Sequence, residues 1–240
     1  MYSIGPENNV FGPLMTEVYR LAHRASRLFA NVLIVGESGV GKEHLARQIH
    51  RFGNPKEKQF RVYRCSSSEL NLGDIRRLLI LNTDEGNEQS AGTLFLKSLE
   101  KVNDKAQLQL LEVLDEEKIV GLIEGVSTFR RPRVMCSSEQ DWGRTQAESG
   151  IHPSLAYHLD IIHIEIPPLR ERKGEVLFLA NVFLREFKVK YAKELTGFSL
   201  PVRCSLLDYD WPGNVRELRN VVEEAVILAQ GPLVRDLYLL

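Results

Sequence analysis

The residues whose types and spacing most clearly imply chemistry are Gly36, Glu37, Ser38, Gly39, Val40, Gly41, Lys42 and Glu43. They follow a short apolar run and precede an amphipathic stretch. The G-x-x-x-x-G-K spacing suits a phosphate. The glycines let successive backbone N–H groups turn toward an anion, Lys42 supplies a point charge for β and γ phosphates, and the helix that follows adds its positive end. A glycine turn with a chance lysine is the plain alternative, and the strand-before, helix-after context argues against it. In the general motif a Ser or Thr closes the string and its hydroxyl holds Mg²⁺; Glu43 stands there instead. Binding and hydrolysis are therefore separate questions.

Two further groups invite a chemical reading. Arg130, Arg131 and Arg133 beside Phe129 make a small basic-aromatic patch that could grip a phosphate or stack on a guanine. The plainer reading is a solvated turn ahead of a strand. His152, His158 and His163 lie close in sequence, but their spacings of six and five residues lack acidic or cysteine companions at ligand spacing, so they read as packing or surface histidines, not metal ligands. Cys65, Cys136 and Cys204 are odd in number and far apart. They read as free thiols in a reducing cytoplasm.

These residues need a frame to hold them. The periodicity predicts helices over 14–29, 43–51, 104–114, 176–191, 204–208 and 214–230, and strands over 31–35, 93–96, 133–136 and 161–166. Asn214 is expected to cap the last helix, with Glu217 in capping-box spacing and Gly231-Pro232 ending it. Strands alternating with helices imply an α/β fold with a parallel sheet covered on both faces, and the pattern turns all-helical after Pro168. The expected domains are residues 1–170, a nucleotide-binding core, and 171–240, a helical lid. The formal charge of −1 gives no global basic field for nucleic acid or an anionic membrane. No apolar run reaches the roughly 18–20 residues of a bilayer span, and residues 1–7 do not read as a signal peptide.

Several strings in order resemble the AAA+ domain of bacterial enhancer-binding regulators, the ATPases that remodel sigma-54 RNA polymerase. The loop differs from that family's Gly-Glu-Ser-Gly-Thr-Gly-Lys-Glu at Val40 only, so Glu43 is normal there. Gly92-Thr93-Leu94-Phe95-Leu96 is similar to the strand leading into the Walker B acids. Pro167-Pro168-Leu169-Arg170-Glu171-Arg172 matches the signature after the last core strand. Trp211-Pro212-Gly213-Asn214-Val215-Arg216-Glu217-Leu218 matches the lid helix carrying the second sensor arginine, here Arg216. The resemblance runs from about residue 11 to residue 240 and implies an AAA+ P-loop core with a small C-terminal helical lid.

The departures matter as much. Where the family has Asp-Glu, one holding Mg²⁺ and the other orienting water, this chain has Lys97-Ser98; Glu100 is three residues beyond Lys97. Both finger arginines are replaced by His152 and His158, and the first sensor reads Ser138-Glu139. The sigma-54-contacting Gly-Ala-Phe-Thr-Gly-Ala string does not occur; only about 25 residues separate Cys65 from Ala91. A protonated lysine cannot ligate a metal, and a serine is no general base. Two readings of Lys97 stand together: an ammonium replacing the Mg²⁺ charge, or a solvent-facing residue beside a vestigial pocket. The resemblance thus implies a central regulatory domain that oligomerises as a dimer or larger assembly and binds ATP, ADP or cyclic di-GMP, a ligand of some relatives. Magnesium and efficient hydrolysis are not expected. RNA polymerase and DNA would be met through a longer protein, with a sensor before residue 1 and a helix-turn-helix after residue 240, independently of sigma-54. A slow ATPase with relocated groups, and a ligand-free oligomerisation module, are the alternatives.

Overall fold

The computed structural model describes residues 12–53, 59–65, 73, 92–114, 132–139 and 151–238. Contacts divide the chain into two compact units. One comprises Leu21–Gly36 and Lys42–Glu165; the other comprises Met1–Arg20, Glu37–Gly41 and Ile166–Leu240. Helix α1, Pro13–Ser26, crosses the division.

Among the described residues, the first unit holds five parallel strands: β1 Val32–Val35, β2 Phe60–Arg64, β3 Thr93–Lys97, β4 Arg133–Ser138 and β5 Ile162–Glu165. Their order is β2-β3-β4-β1-β5. β1 pairs on both sides and all four of its residues are buried, which is why it reads as an unbroken apolar run and not as an alternation. Register sets Val35 opposite Ser138 and Glu165, and Lys97 opposite Ser137. The chain therefore leaves β1, β3 and β4 along one carboxyl edge, where open parallel sheets take ligands.

Helix α2, Lys42–Gly53, buries Leu45, Ala46 and Ile49, and helix α3, Asp104–Leu114, buries Ala106, Leu110, Val113 and Leu114. The latter side chains join Leu33, Leu94, Leu96, Val134 and Cys136 in one core. Helix α4, Pro153–Leu159, adds Leu155 and Leu159 to that core. Buried Gln107 fixes the start of α4: its Nε2 donates to the Val102 carbonyl at 2.7 Å, and its Oε1 accepts from the His152 N–H at 2.7 Å. Sequence periodicity pointed to neither α4 nor β2. β2 is a half-buried edge strand mixing arginines with aromatics, so it carries no clean period. Helix α1 stops at Ser26, short of residue 29, because Leu28 and Phe29 are exposed and give no burial to extend it.

The second unit is built on α5, Val176–Lys190, and α7, Asn214–Leu228, with α6, Leu200–Asp208, and a short parallel pair, β6 Gly197–Phe198 and β7 Leu233–Val234. Its core includes Leu184, Phe187, Trp211, Leu218, Val222 and Val226. Trp211 is wholly buried, and its indole N–H donates to the Leu206 carbonyl at 2.9 Å. Trp211 and Asn214 are both left-handed, each with φ 54, and the Asn214 N–H returns to the Trp211 carbonyl at 2.7 Å. The capping expectation needs correction here. The cap position belongs to Gly213, whose N–H donates to Glu217 Oε2 at 2.7 Å, while the Asn214 side chain turns elsewhere. Among the described residues no helix is long and apolar enough to cross a membrane.

Candidate nucleotide-binding site

The residues of the phosphate-loop string fall in both units, and each set is held by its own neighbours. In the strand unit, Gly36 follows β1 with its N–H donating to the Ser138 carbonyl at 3.2 Å. Lys42 opens α2 and its ammonium donates back to the Gly36 carbonyl. Glu43 lies one residue further into the helix, where its carboxylate meets two cations: Arg47 at 2.8 Å and the Lys97 ammonium at 3.2 Å. Burial opposes ionisation of Glu43, but the bonds from Arg47 and Lys97 outweigh it and hold the carboxyl below its ordinary range.

Lys97 ends β3, and Ser98 follows in a left-handed conformation with φ 61, its N–H donating to the Ser137 carbonyl at 3.1 Å. A serine held at positive φ is uncommon and costs the backbone free energy. Neither Lys97 nor Ser98 offers a carboxylate. Glu100, two residues past Ser98, lies in the short 3-10 turn Leu99–Lys101, and both of its carboxylate oxygens are shielded from solvent without a hydrogen bond. Ser138 is buried at the end of β4 and Glu139 is exposed beyond it.

In the other unit, residues 37–41 are gripped by side chains from the segments around residues 170 and 214. Arg170 makes a two-pronged ion pair with Glu37 at 2.6 and 2.9 Å, a geometry that suits a planar guanidinium. Asn214 Oδ1 accepts from the Leu169 N–H at 2.7 Å. Its Nδ2 donates to Glu37 Oε2 and to the Ser38 carbonyl, each at 3.0 Å. Arg216 donates to Ser38 Oγ at 3.1 Å, and its backbone N–H donates to the Gly39 carbonyl at 3.3 Å. Arg172 is buried and donates to the Val40 carbonyl at 3.0 Å while pairing with Glu175 at 3.3 Å. Burial pulls the Arg172 guanidinium down and pushes the Glu175 carboxyl up. Gly39 has φ 82, and a Cβ there would sit 2.2 Å from the Gly213 carbonyl oxygen, so only glycine fits. Gly41, with φ 108, needs glycine for its conformation alone.

The other sequence candidates separate. Arg133 belongs to no surface patch. It is 6% exposed, and its guanidinium donates to the Ala30 carbonyl at 3.0 Å and the Ala25 carbonyl at 2.8 Å. Burial lowers its pKa to about 10. As the first residue of β4 it points into the core, a direction that sequence alone does not reveal. Arg130, Arg131 and Phe129 lie outside the described residues, as does the connector from 82 to 91. His152 caps α4 by accepting from the Ser154 N–H at 3.3 Å. The His158 carbonyl accepts from Asn31 at 2.9 Å, and His163 approaches Asp160 at 3.1 Å. Cys65 and Cys136 are buried and Cys204 is exposed; burial pushes the Cys65 thiol up to about 12. The grip on Glu37 and the Glu43–Lys97 pair were beyond sequence reasoning because their partners lie far apart in the chain.

Comparison with known proteins agrees with this architecture. The model of the Sigma-54 interaction domain family matches residues 12–169, and that of the AAA+ ATPase lid domain matches residues 170–238. The alginate biosynthesis transcriptional regulatory protein AlgB of Pseudomonas aeruginosa is 34% identical over 233 residues, 92% of this chain and 52% of that protein. The nitrogen fixation protein VnfA of Azotobacter vinelandii is 34% identical over 236 residues, 94% of this chain and 45% of that protein. The chain spans about half the length of the curated relatives it matches. Among solved structures, NtrX from Brucella abortus in complex with ATP superposes with a TM-score of 0.73 at 23% identity, covering 95% of this chain and 53% of that one; this likeness shows the fold alone. The parallel sheet, the glycine-rich loop and the two family matches together place this chain in the Sigma-54 interaction domain family, an AAA+ P-loop domain followed by an AAA+ lid.

Proposed function

We propose that this domain is the regulatory AAA+ module of a bacterial transcription regulator, one that binds a nucleotide on the loop formed by Gly36, Glu37, Ser38, Gly39, Val40, Gly41, Lys42 and Glu43 without hydrolysing it efficiently. One observation carries the reading: β3 ends in the Lys97 ammonium and is followed by the Ser98 hydroxyl, where the family motif described above has two acids. The loop supports retention of phosphate binding. Its left-handed glycines, Lys42 at the start of α2, and Ser38 beside Arg216 are kept in place by contacts that need no catalysis.

Magnitudes favour loss of turnover. Removing an arginine finger costs about 10³–10⁵ in phosphoryl-transfer rate, and removing a general base costs about 10²–10⁴. The two do not simply multiply, but either makes turnover negligible. The resemblance puts His152 and His158 at the finger positions; here the His152 imidazole caps α4, and the His158 backbone carbonyl accepts from Asn31. ATP and ADP are the ligands that this loop fits best. Cyclic di-GMP is the second candidate and would have to be held without Arg133. The module acts on transcription by oligomerising within a longer protein, without a Gly-Ala-Phe-Thr-Gly-Ala contact to sigma-54.

Titration calorimetry with ATP, ADP and cyclic di-GMP tests this. The expected result is binding of ATP or ADP that Lys42→Ala weakens by about tenfold or more, a difference of 1.4 kcal/mol. Heat with cyclic di-GMP alone would move the ligand assignment away from the loop. No heat with any of the three would leave an oligomerisation module. Multiple-turnover phosphate release abolished by Lys42→Ala would replace this reading with a slow ATPase.

A further inference from the structure

The residues present do not suit a divalent cation. Mg²⁺ requires hard, anionic or neutral oxygen donors in near-octahedral array. At the end of β3 stands Lys97, whose ammonium has no lone pair, and it lies 3.2 Å from Glu43, the carboxylate at the place where the general motif holds the metal. Arg47 takes the other oxygen of the same carboxylate. Glu43 thus carries two cations already, and a metal ion there would have to displace or repel both.

Charge adds a direction to this misfit. Exchanging Asp-Glu for Lys97-Ser98 converts two negative charges into one positive charge, a change of three units. A magnesium ion would have brought two. Without any metal this position therefore carries a net charge of +1, against zero for Asp-Glu with its bound magnesium ion. Glu43 holds the ammonium at the sheet edge, and that bond uses one of its three N–H groups. The remaining two can meet a phosphate oxygen.

We infer that the site selects the metal-free nucleoside di- or triphosphate over its magnesium complex, with the Lys97–Glu43 pair standing where the cation would be. A bare triphosphate offers the full negative charge that this arrangement attracts. Its magnesium complex has part of that charge neutralised and presents a cation to Lys97 and Arg47. Added magnesium therefore competes for the ligand and does not assist its binding. This inference rests on the reading that the loop binds a nucleotide, and its test is arranged so that the two can fail separately.

The experiment is calorimetric titration of the whole domain with ATP, and separately with ADP, in EDTA and in excess Mg²⁺. Electron paramagnetic resonance of Mn²⁺ then asks whether the ion stays in solution when protein and ADP are mixed. Expected are binding in EDTA, about tenfold weaker apparent affinity in Mg²⁺, and no protein-dependent loss of the free Mn²⁺ signal beyond that caused by ADP alone. Lys97→Asp is expected to reverse the order, so that Mg²⁺ tightens binding. Lys97→Met, which keeps most of the side chain's apolar stem without its charge, is expected to weaken metal-free binding and remains informative if the aspartate variant does not fold. Affinity that is unchanged or tighter in Mg²⁺ overturns the inference and leaves nucleotide binding standing. No binding under either condition overturns both.

Discussion

Replacement of Asn214 separates two accounts of the same residue. A helix cap tolerates Ser in place of Asn at almost no cost, because either oxygen reaches the first turn. In the structure Asn214 is wholly buried, left-handed at φ 54, and engaged through both ends of its amide. Its Oδ1 satisfies the Leu169 N–H, a buried donor whose loss of a partner costs about 1–3 kcal/mol. A side chain with an ordinary Cβ in a left-handed position costs about 1–2 kcal/mol more, where Asn is among the better tolerated types. Asn214→Ala should therefore destabilise by about 2–5 kcal/mol. Asn214→Gly should cost about 1 kcal/mol less than Ala, since it relieves the backbone and not the orphaned amide. Asn214→Ser should behave like Ala, because the hydroxyl stops short of Leu169. Urea unfolding followed by Trp211 fluorescence in a Trp142→Phe background reads the unit that contains Asn214. A serine variant within about 0.5 kcal/mol of the parent would restore the capping role.

Four other outcomes follow from particular contacts. Gly39→Ala should lose more than about 2 kcal/mol of stability in thermal or urea unfolding, because its Cβ meets the Gly213 carbonyl and its φ is left-handed. Arg133→Met should destabilise by about 2–4 kcal/mol in urea, since the Ala25 and Ala30 carbonyls lose a charged donor; a neutral effect would place its guanidinium outside the core. The Glu43 carboxyl, held low by Arg47 and Lys97, contributes stability above its unfolded pKa that is lost as pH falls through its lowered folded value. Lys97→Met should flatten that limb of the acid-unfolding profile, and an unchanged limb would mean that the pair contributes nothing. Iodoacetamide at pH 8 should label Cys204 alone in the folded protein and all three cysteines after denaturation, as intact mass spectrometry would report.

The strands that sequence revealed were those with an unmixed signal. Val32–Val35 is buried on both faces and so reads as a continuous apolar run, and the loop after it carries glycines that only a tight turn explains. Asp104–Leu114 matched its expected span because its apolar side is regular. Phe60–Arg64 stayed hidden because an edge strand is only half buried, and Pro153–Leu159 because seven residues give barely two turns of period. At the site, residue types gave the expectation of which groups are replaced. They could not tell where the replacements point. Lys97 finds Glu43 across 54 positions, and Arg170 finds Glu37 across 133. Arg133 differs from a surface arginine only through the strand that turns it inward. Such facts are tertiary, and periodicity carries no information about them.

The domain is expected to hold ATP on its phosphate loop without cleaving it. The domain is incubated with γ-labelled ATP in EDTA and, in parallel, in excess Mg²⁺, where a competent hydrolase would turn over; it is then captured on a filter, and the retained and released label is resolved by chromatography. The expected result is label retained as intact ATP over hours, and not retained by Lys42→Ala. Lys42-dependent release of labelled phosphate would show that the loop still cleaves ATP, and no retained label would show that it no longer holds it.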